Sequence, residues 1–227
     1  MPEGTMPYIV LWSLPGSGNT WLRYLIERVT GIFTGSVGND KGLFDGGFRG
    51  QLLPAKSGRT VVVKTHSLID VRDAEGILFL IRDPYGSAIA EVNRRFSKGH
   101  TSFATEERFM GPQWRTFAID HVEQWALDIK HYVVLPQKKL IVYYEDLQND
   151  LRNQLKRIVK FLGLSLDEQR LQCTLQHREG NFHRPKRMLS FDPFEKPVRL
   201  VINKSIRDVR QVMLKYHMPV MRSYERL

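Results

Sequence analysis

Of the 227 residues only one, Cys173, is a cysteine. An intrachain disulfide is impossible, and cysteine usage gives no argument for an oxidising compartment. Long apolar runs are missing too: no stretch approaches the ~18–20 residues of a membrane span. The opening "MPEGTMPYIVLW" lacks the charged leader, apolar core and cleavage pattern of a signal peptide. The expectation is a chain soluble as written, making no membrane contact of its own, unless an anchor lies upstream. Internal repeats, low-complexity tracts and Pro/Ser-rich linkers are also absent, so residues 1–227 are expected to form a single domain. What is present suits that: the length allows one well-buried core, and 42% hydrophobic with 11% aromatic residues excludes bulk disorder.

Acidic residues are scarce in one region only. Residues 1–151 hold 17 Lys/Arg against 17 Asp/Glu, whereas 152–227 hold 17 against 7, which supplies the whole net charge of +10. The densest stretch is "HREGNFHRPKR" at 177–187. Such a cluster suits a polyanion: a nucleotide with several phosphates, a nucleic acid or an acidic glycan. A solvated basic face accounts for it equally well.

Strands are expected at 8–13, 59–65, 76–81 and 139–144, all near-continuous apolar runs of the kind buried on both faces of a parallel sheet. Helical patterns run from near Ser17 to Thr30, and over about 85–96, 113–132, 147–162 and 197–216. The alternation predicts an α/β fold with three layers around a central, mostly parallel sheet, and ligands at the carboxyl ends of its strands.

The distinctive polar motifs follow those strand ends. "SLPGSGNT" (13–20) looks like a phosphate loop at a helix N-terminus, with Ser17 and Thr20 as hydroxyl donors. It lacks the lysine that a Walker loop carries after its second glycine: Gly18 is followed by Asn19. An ordinary strand–helix turn capped by Ser17 is the structural alternative. Trp21 is placed either to stack on a purine or to fill the core. In "KTHS" (64–67), Lys64 and His66 are two apart and project to one side of an extended chain. They make a plausible pair of charge stabiliser and proton acceptor, or a surface lysine beside a structural histidine. Arg82 closes the third strand and suits a phosphate, with Asp83 as the bland partner. Glu145 and Asp146 read as acids capping the next helix.

The order "SLPGSGNTW", "VVVKTHS", "LFLIRDPYGSAIAEVNRRF", "VYYEDLQNDLRNQLKRIVKFLGL", "REGNFHR" resembles the sulfotransferases that use 3′-phosphoadenosine 5′-phosphosulfate, over roughly residues 8–190. It is most similar to the sulfotransferase domain of WSC-domain-containing sulfotransferases. The resemblance implies a P-loop-like phosphosulfate-binding loop of Gly16, Ser17, Gly18, Asn19 and Thr20, with Trp21 against the adenine. Arg82, Arg178 and Gly180 are implied at the 3′-phosphate. Lys64 and His66 fall at the positions of a charge-stabilising lysine and a catalytic histidine, and Glu91 or Asp146 would be the base if His66 is not. The donor is implied as co-substrate, with no metal, and the acceptor as a hydroxyl on a glycan, sialic acid being one option.

Two positions depart from the superfamily pattern. Gly16 stands where most members carry Lys or Arg, and Ala90 where a serine is expected eight residues after Arg82. The leaving-group cation would then be Lys64, or Arg184. Gly16 either leaves room for a side chain or is demanded by a positive φ. WSC-type relatives reside in the Golgi membrane, so the resemblance implies the Golgi lumen if an upstream anchor exists. Two other readings stay open: a catalytically weak module of the same fold that binds nucleotide or anionic glycan, and a P-loop nucleotide kinase. A nucleic-acid partner would explain the charge but not the ordered motifs.

Overall fold

The computed structural model describes residues 1–97, 102–181, 184, 187–219 and 221–226. The chain folds as two compact units. The first comprises Met1–Ser13, Gly18–Ile81 and Pro136–His183, and the second Leu14–Ser17, Arg82–Leu135 and Arg184–Leu227.

The first unit holds a five-stranded sheet: β1 (Ile9–Ser13), β2 (Gly35–Ser36), β3 (Val63–Thr65), β4 (Gly76–Ile81) and β5 (Lys138–Tyr143). Their order is β2-β3-β1-β4-β5 and every pairing is parallel, with Leu11 opposite both Lys64 and Leu78. Both faces of the central strands are buried, as their unbroken apolar runs require. Ile9, Leu11, Leu78, Leu80 and Val142 join one core with α1 (Asn19–Thr30), α7 (Leu151–Phe161) and α8 (Glu168–Gln176). Val10, Trp12, Ile77 and Phe79 alternate with them and are also buried. From α1, Leu22, Leu25, Ile26 and Val29 enter that core at helical spacing, each contributing about 1.5–3 kcal/mol of burial. Gly31, at φ +71°, ends the helix by donating its N–H to Glu27 O. Three short helices complete the unit: α2 (Lys41–Asp45), α3 (Leu68–Val71) and α6 (Tyr144–Asn149).

The second unit is helical: α4 (Pro84–Phe96), a 3₁₀ turn at Glu106–Phe109, α5 (Gly111–Val134) and α9 (Lys196–Lys215). Asp83 caps α4 by accepting from Tyr85 N–H at 3.0 Å, and Pro84 occupies the first helical position. Phe194 packs edge-on to Tyr85 at 4.8 Å and tilted to Trp114 at 5.3 Å between centroids, and α9 buries the stripe of Val198, Ile202, Ile206 and Val209.

The α/β class and parallel sheet agree with the sequence; several boundaries do not. The expected strand at 59–65 shortens to Val63–Thr65, although Val61 N–H still donates to the Phe33 carbonyl and the Val62 carbonyl accepts from Gly35 N–H. The expected helix at 147–162 is two helices broken at Asp150, whose φ is −142°. The first helix starts at Asn19 rather than Ser17, since Gly18 is left-handed at φ +93°.

Candidate functional site

The loop after β1 crosses from one unit to the other. In the second unit, Gly16 has φ +86° and its carbonyl accepts from Arg82 Nη1 at 2.9 Å. A Cβ on Gly16 would lie 2.2 Å from the Ser87 carbonyl oxygen, a separation that atoms do not tolerate. The position therefore demands glycine, and the missing loop cation has no room in this backbone. Ser17 is 1% exposed and its hydroxyl has no hydrogen-bond partner among the described residues. An orphaned buried hydroxyl beside a helix start is what a phosphate oxygen would satisfy.

In the first unit the same loop continues into α1. Gly18 presses against the Tyr144 ring, where a Cβ would come within 2.7 Å. No side chain caps α1, so its first-turn N–H groups are left to a ligand or solvent. Asn19 donates from Nδ2 to Ser13 Oγ at 3.0 Å, while its Oδ1 has no partner among the described residues. Thr20 follows in the first turn. Trp21 is held edge-on to Tyr144 at 5.4 Å and donates Nε1–H to the Arg178 carbonyl at 2.7 Å. One turn on, Tyr24 donates to the His177 carbonyl at 2.6 Å and its ring would touch a Cβ on Gly180, which has φ +65°. Trp21 and Tyr24 thus pin the 177–180 stretch on α1, while the Arg178 guanidinium lies 3.3 Å from Glu179.

Lys64 and His66 alternate with buried Val63 and Thr65; Lys64 is half-buried and His66 exposed. His66 Nδ1 lies in hydrogen-bond contact with the Ser13 carbonyl. A carbonyl only accepts, so in this contact Nδ1 carries the hydrogen. The neighbouring Thr65 donates to Asp70 Oδ2 at 2.6 Å, fixing the turn after β3.

Arg82 and Arg184 lie in the second unit. Arg184 Nη1 donates to the Ala90 carbonyl at 3.3 Å, so the residue standing in for the expected serine anchors a cation. Burial, then the positive charge of Arg82, pushes Arg184 below the usual arginine range. Burial beside a second guanidinium disfavours the charge of Arg184, and an anion there would restore it. Asp83 accepts from Arg226 at 2.8 Å as well as from Tyr85 N–H. Glu91 is fully buried; burial pushes its carboxyl up, but bonds of 2.7 Å from Arg94 and Arg95 outweigh this and hold it low. A carboxylate saturated in that way is structural, which removes Glu91 as the reserve base. Asp146 sits with Glu145 in the first turn of α6. Phe182, His183, Pro185 and Lys186 of the basic stretch lie outside the described residues.

Sequence reasoning missed Ser13, Tyr24 and Tyr144, which hold His66, the 177–180 stretch and Gly18. The only available signal was Tyr24's place three residues after Trp21, on the same helix face. Among the described residues no group of His, Cys, Asp and Glu is arranged to hold a metal ion. No described helix is long and apolar enough to cross a membrane.

A family model described as "Sulfotransferase family" matches residues 70–168. That match spans 99 of the 227 residues. Along most of its length it is similar to WSCD family member GA21586 of Drosophila pseudoobscura pseudoobscura, at 37% identity over 210 residues, 89% of this chain and 65% of that one. It is similar too to WSCD family member CG9164 of Drosophila melanogaster, at 36% over 205 residues, 88% of this chain and 64% of that one. The chain thus spans a little under two thirds of those relatives. In fold it resembles mouse sulfotransferase SULT7A1 complexed with PAP, with a TM-score of 0.55 at 17% identity over 96% of this chain and 90% of that one.

Proposed function

We propose that this chain is a sulfotransferase that moves a sulfonate group from 3′-phosphoadenosine 5′-phosphosulfate to a hydroxyl acceptor. The observation that carries the reading is the buried, unpartnered Ser17 hydroxyl in a glycine-held loop ahead of an uncapped helix, in a chain whose residues 70–168 match the sulfotransferase family model. The resemblance to SULT7A1, solved with PAP, supports the nucleotide. Residues 1–227 are read as one domain, because the segments of the two units interleave along the sequence.

The roles divide by unit. In the first, amides of Gly18, Asn19 and Thr20 take the 5′-phosphosulfate, Trp21 lies against the adenine, and Arg178 and Gly180 serve the 3′-phosphate. His66 Nε2 accepts the proton of the acceptor hydroxyl as its oxygen bonds to sulfur. The bond from sulfur to the bridging oxygen breaks, and its electron pair stays on the departing adenosine 3′,5′-bisphosphate. Lys64 neutralises that growing charge. In the second unit, Gly16 and Ser17 shape the loop, Arg82 takes the 3′-phosphate, and Arg184 is the reserve cation. No metal is assigned a role. For the acceptor we propose a glycan hydroxyl, sialic acid among the options, on the strength of the resemblance to WSC-type sulfotransferases.

Transfer of labelled sulfonate to immobilised glycans tests both parts. His66→Ala should cut turnover by roughly 10²–10⁴-fold with nucleotide affinity nearly intact. Nucleotide binding with no transfer to any hydroxyl would instead identify a binding module.

A further inference from the structure

A cavity of about 460 Å³ lies wholly within the first unit, among the C-terminal half of α1, the chain at 31–33 and 46–48, and α8. The residues proposed for sulfonate transfer do not line it. Its walls combine three aromatic rings, Tyr24, Phe33 and Phe48, with the guanidiniums of Arg28 and Arg170 and the thiol of Cys173.

The cations there are poorly served. Arg23, five residues before Arg28 on the same helix, shows what a satisfied buried guanidinium looks like. It bonds to Thr34 Oγ1 at 2.8 Å, to Gln51 Oε1 at 2.7 Å and to the Thr34 carbonyl at 3.2 Å, over the Phe48 ring. Arg28 also lies over a ring, Tyr24 at 5.7 Å, but its only side-chain hydrogen bond among the described residues runs from Nη2 to Cys173 Sγ at 3.0 Å, a weak acceptor, and its buried Nε has no partner among them. The carboxylate beside it in the wall, Glu27, accepts on Oε1 from Thr34 N–H at 2.8 Å and from Thr34 Oγ1 at 2.6 Å, and no ion pair joins it to Arg28 or Arg170 among the described residues. Arg170 lies flat against Gly31, where a Cβ would come within 2.7 Å of its guanidinium. The carboxylate oxygen paired with it, Asp167 Oδ2, lies 3.8 Å from Nε, beyond hydrogen-bond reach, while Oδ1 accepts from Gln169 N–H and Arg170 N–H. The negative end of the α1 dipole offsets part of this charge. It does not supply the in-plane acceptors that a guanidinium fork requires.

We infer that this cavity is a second ligand site, which takes an oxyanion (a carboxylate or sulfate) carried on a ring. The oxyanion meets the Arg28 and Arg170 forks, and the ring lies against Tyr24 and Phe33. The volume is in the range of small-molecule pockets.

Cys173 makes the site measurable, because it is the sole cysteine of the chain, is exposed and lines the cavity. Its alkylation by uncharged iodoacetamide, followed by intact mass at constant ionic strength, reads occupancy. Phenyl sulfate at about ten times its dissociation constant is expected to slow the reaction roughly ten-fold by mass action. Phenol, with the ring and no charge, and inorganic sulfate, with the charge and no ring, should each protect only at much higher concentration. Arg28→Gln and Arg170→Gln should each abolish protection, measured against the variant's own unprotected rate, while melting cooperatively. If Arg28→Gln does not fold, half-exposed Arg170 carries the test. Absence of protection by phenyl sulfate, or protection that survives both substitutions, overturns the site. Equal potency of phenol overturns the oxyanion, and equal potency of inorganic sulfate overturns the ring.

Discussion

In Gly16→Ala a single methyl group has to enter a backbone held at φ +86°. Its carbon would stand 2.2 Å from the Ser87 carbonyl oxygen and 3.1 Å from the Glu91 nitrogen, both backbone atoms of α4 that cannot swing aside. The left-handed conformation alone costs a residue with a Cβ about 1–2 kcal/mol. Relieving the overlap moves the turn and breaks the 2.9 Å bond from Arg82 Nη1 to the Gly16 carbonyl. A hydrogen bond to a charged group contributes about 1.5–3 kcal/mol. The sum, about 3–5 kcal/mol, lowers the melting temperature of a chain this long by roughly 10 °C. The assay is thermal unfolding with and without adenosine 3′,5′-bisphosphate, which at about 100 times its dissociation constant adds ~2.7 kcal/mol to the wild type. The variant should melt early and lose most of that ligand response, because the displaced turn carries Ser17. Gly16→Lys, which returns the cation most of the superfamily carries, should fail in the same way. A Gly16→Ala protein with the wild-type melting temperature and the full ligand response would refute the argument.

Adenosine 3′,5′-bisphosphate should stabilise the protein far more than ADP or ATP, and equal thermal shifts would remove Arg82 from the 3′-phosphate. Lys64→Met should lower kcat by roughly 10²–10³-fold, the scale for losing one preorganised donor; full activity would pass the leaving-group role to Arg184. Burial pushes Asp128 up to about 6, against a bond from Gln124 that lowers it. Its folded value exceeds its unfolded one, so stability is lost as pH rises from about 4 through 6, and Asp128→Asn should gain on the order of 1–3 kcal/mol at pH 7.5. Urea melts at pH 7.5 and 4.5 check this: the gain should shrink at the lower pH, and an equal gain at both would refute it.

Periodicity and local chemistry were enough to determine the parallel α/β class, four of the strands and the placing of each polar motif after a strand. Those are properties of consecutive residues: an unbroken run such as "GILFLI" has to be buried on both faces, and a glycine turn has to end at a helix. β2 was invisible because Gly35–Ser36 carries no apolar pattern, and its pairing is set by the strand beside it. The helix α8 was passed over although Asp167 caps it, since its buried side chains, Leu171 and Thr174, are too few to write a stripe. Tertiary structure alone decided what Gly16 is for. The sequence allowed an open loop or a forced one, and only the backbone of Ser87, seventy-one positions away, closes the space that a side chain would need. It decided equally that Glu91 is spent on Arg94 and Arg95, that the Ser13 carbonyl engages His66 Nδ1, and that Ala90 anchors Arg184. Each depends on which atoms meet across the fold, and spacing along a chain carries no record of that.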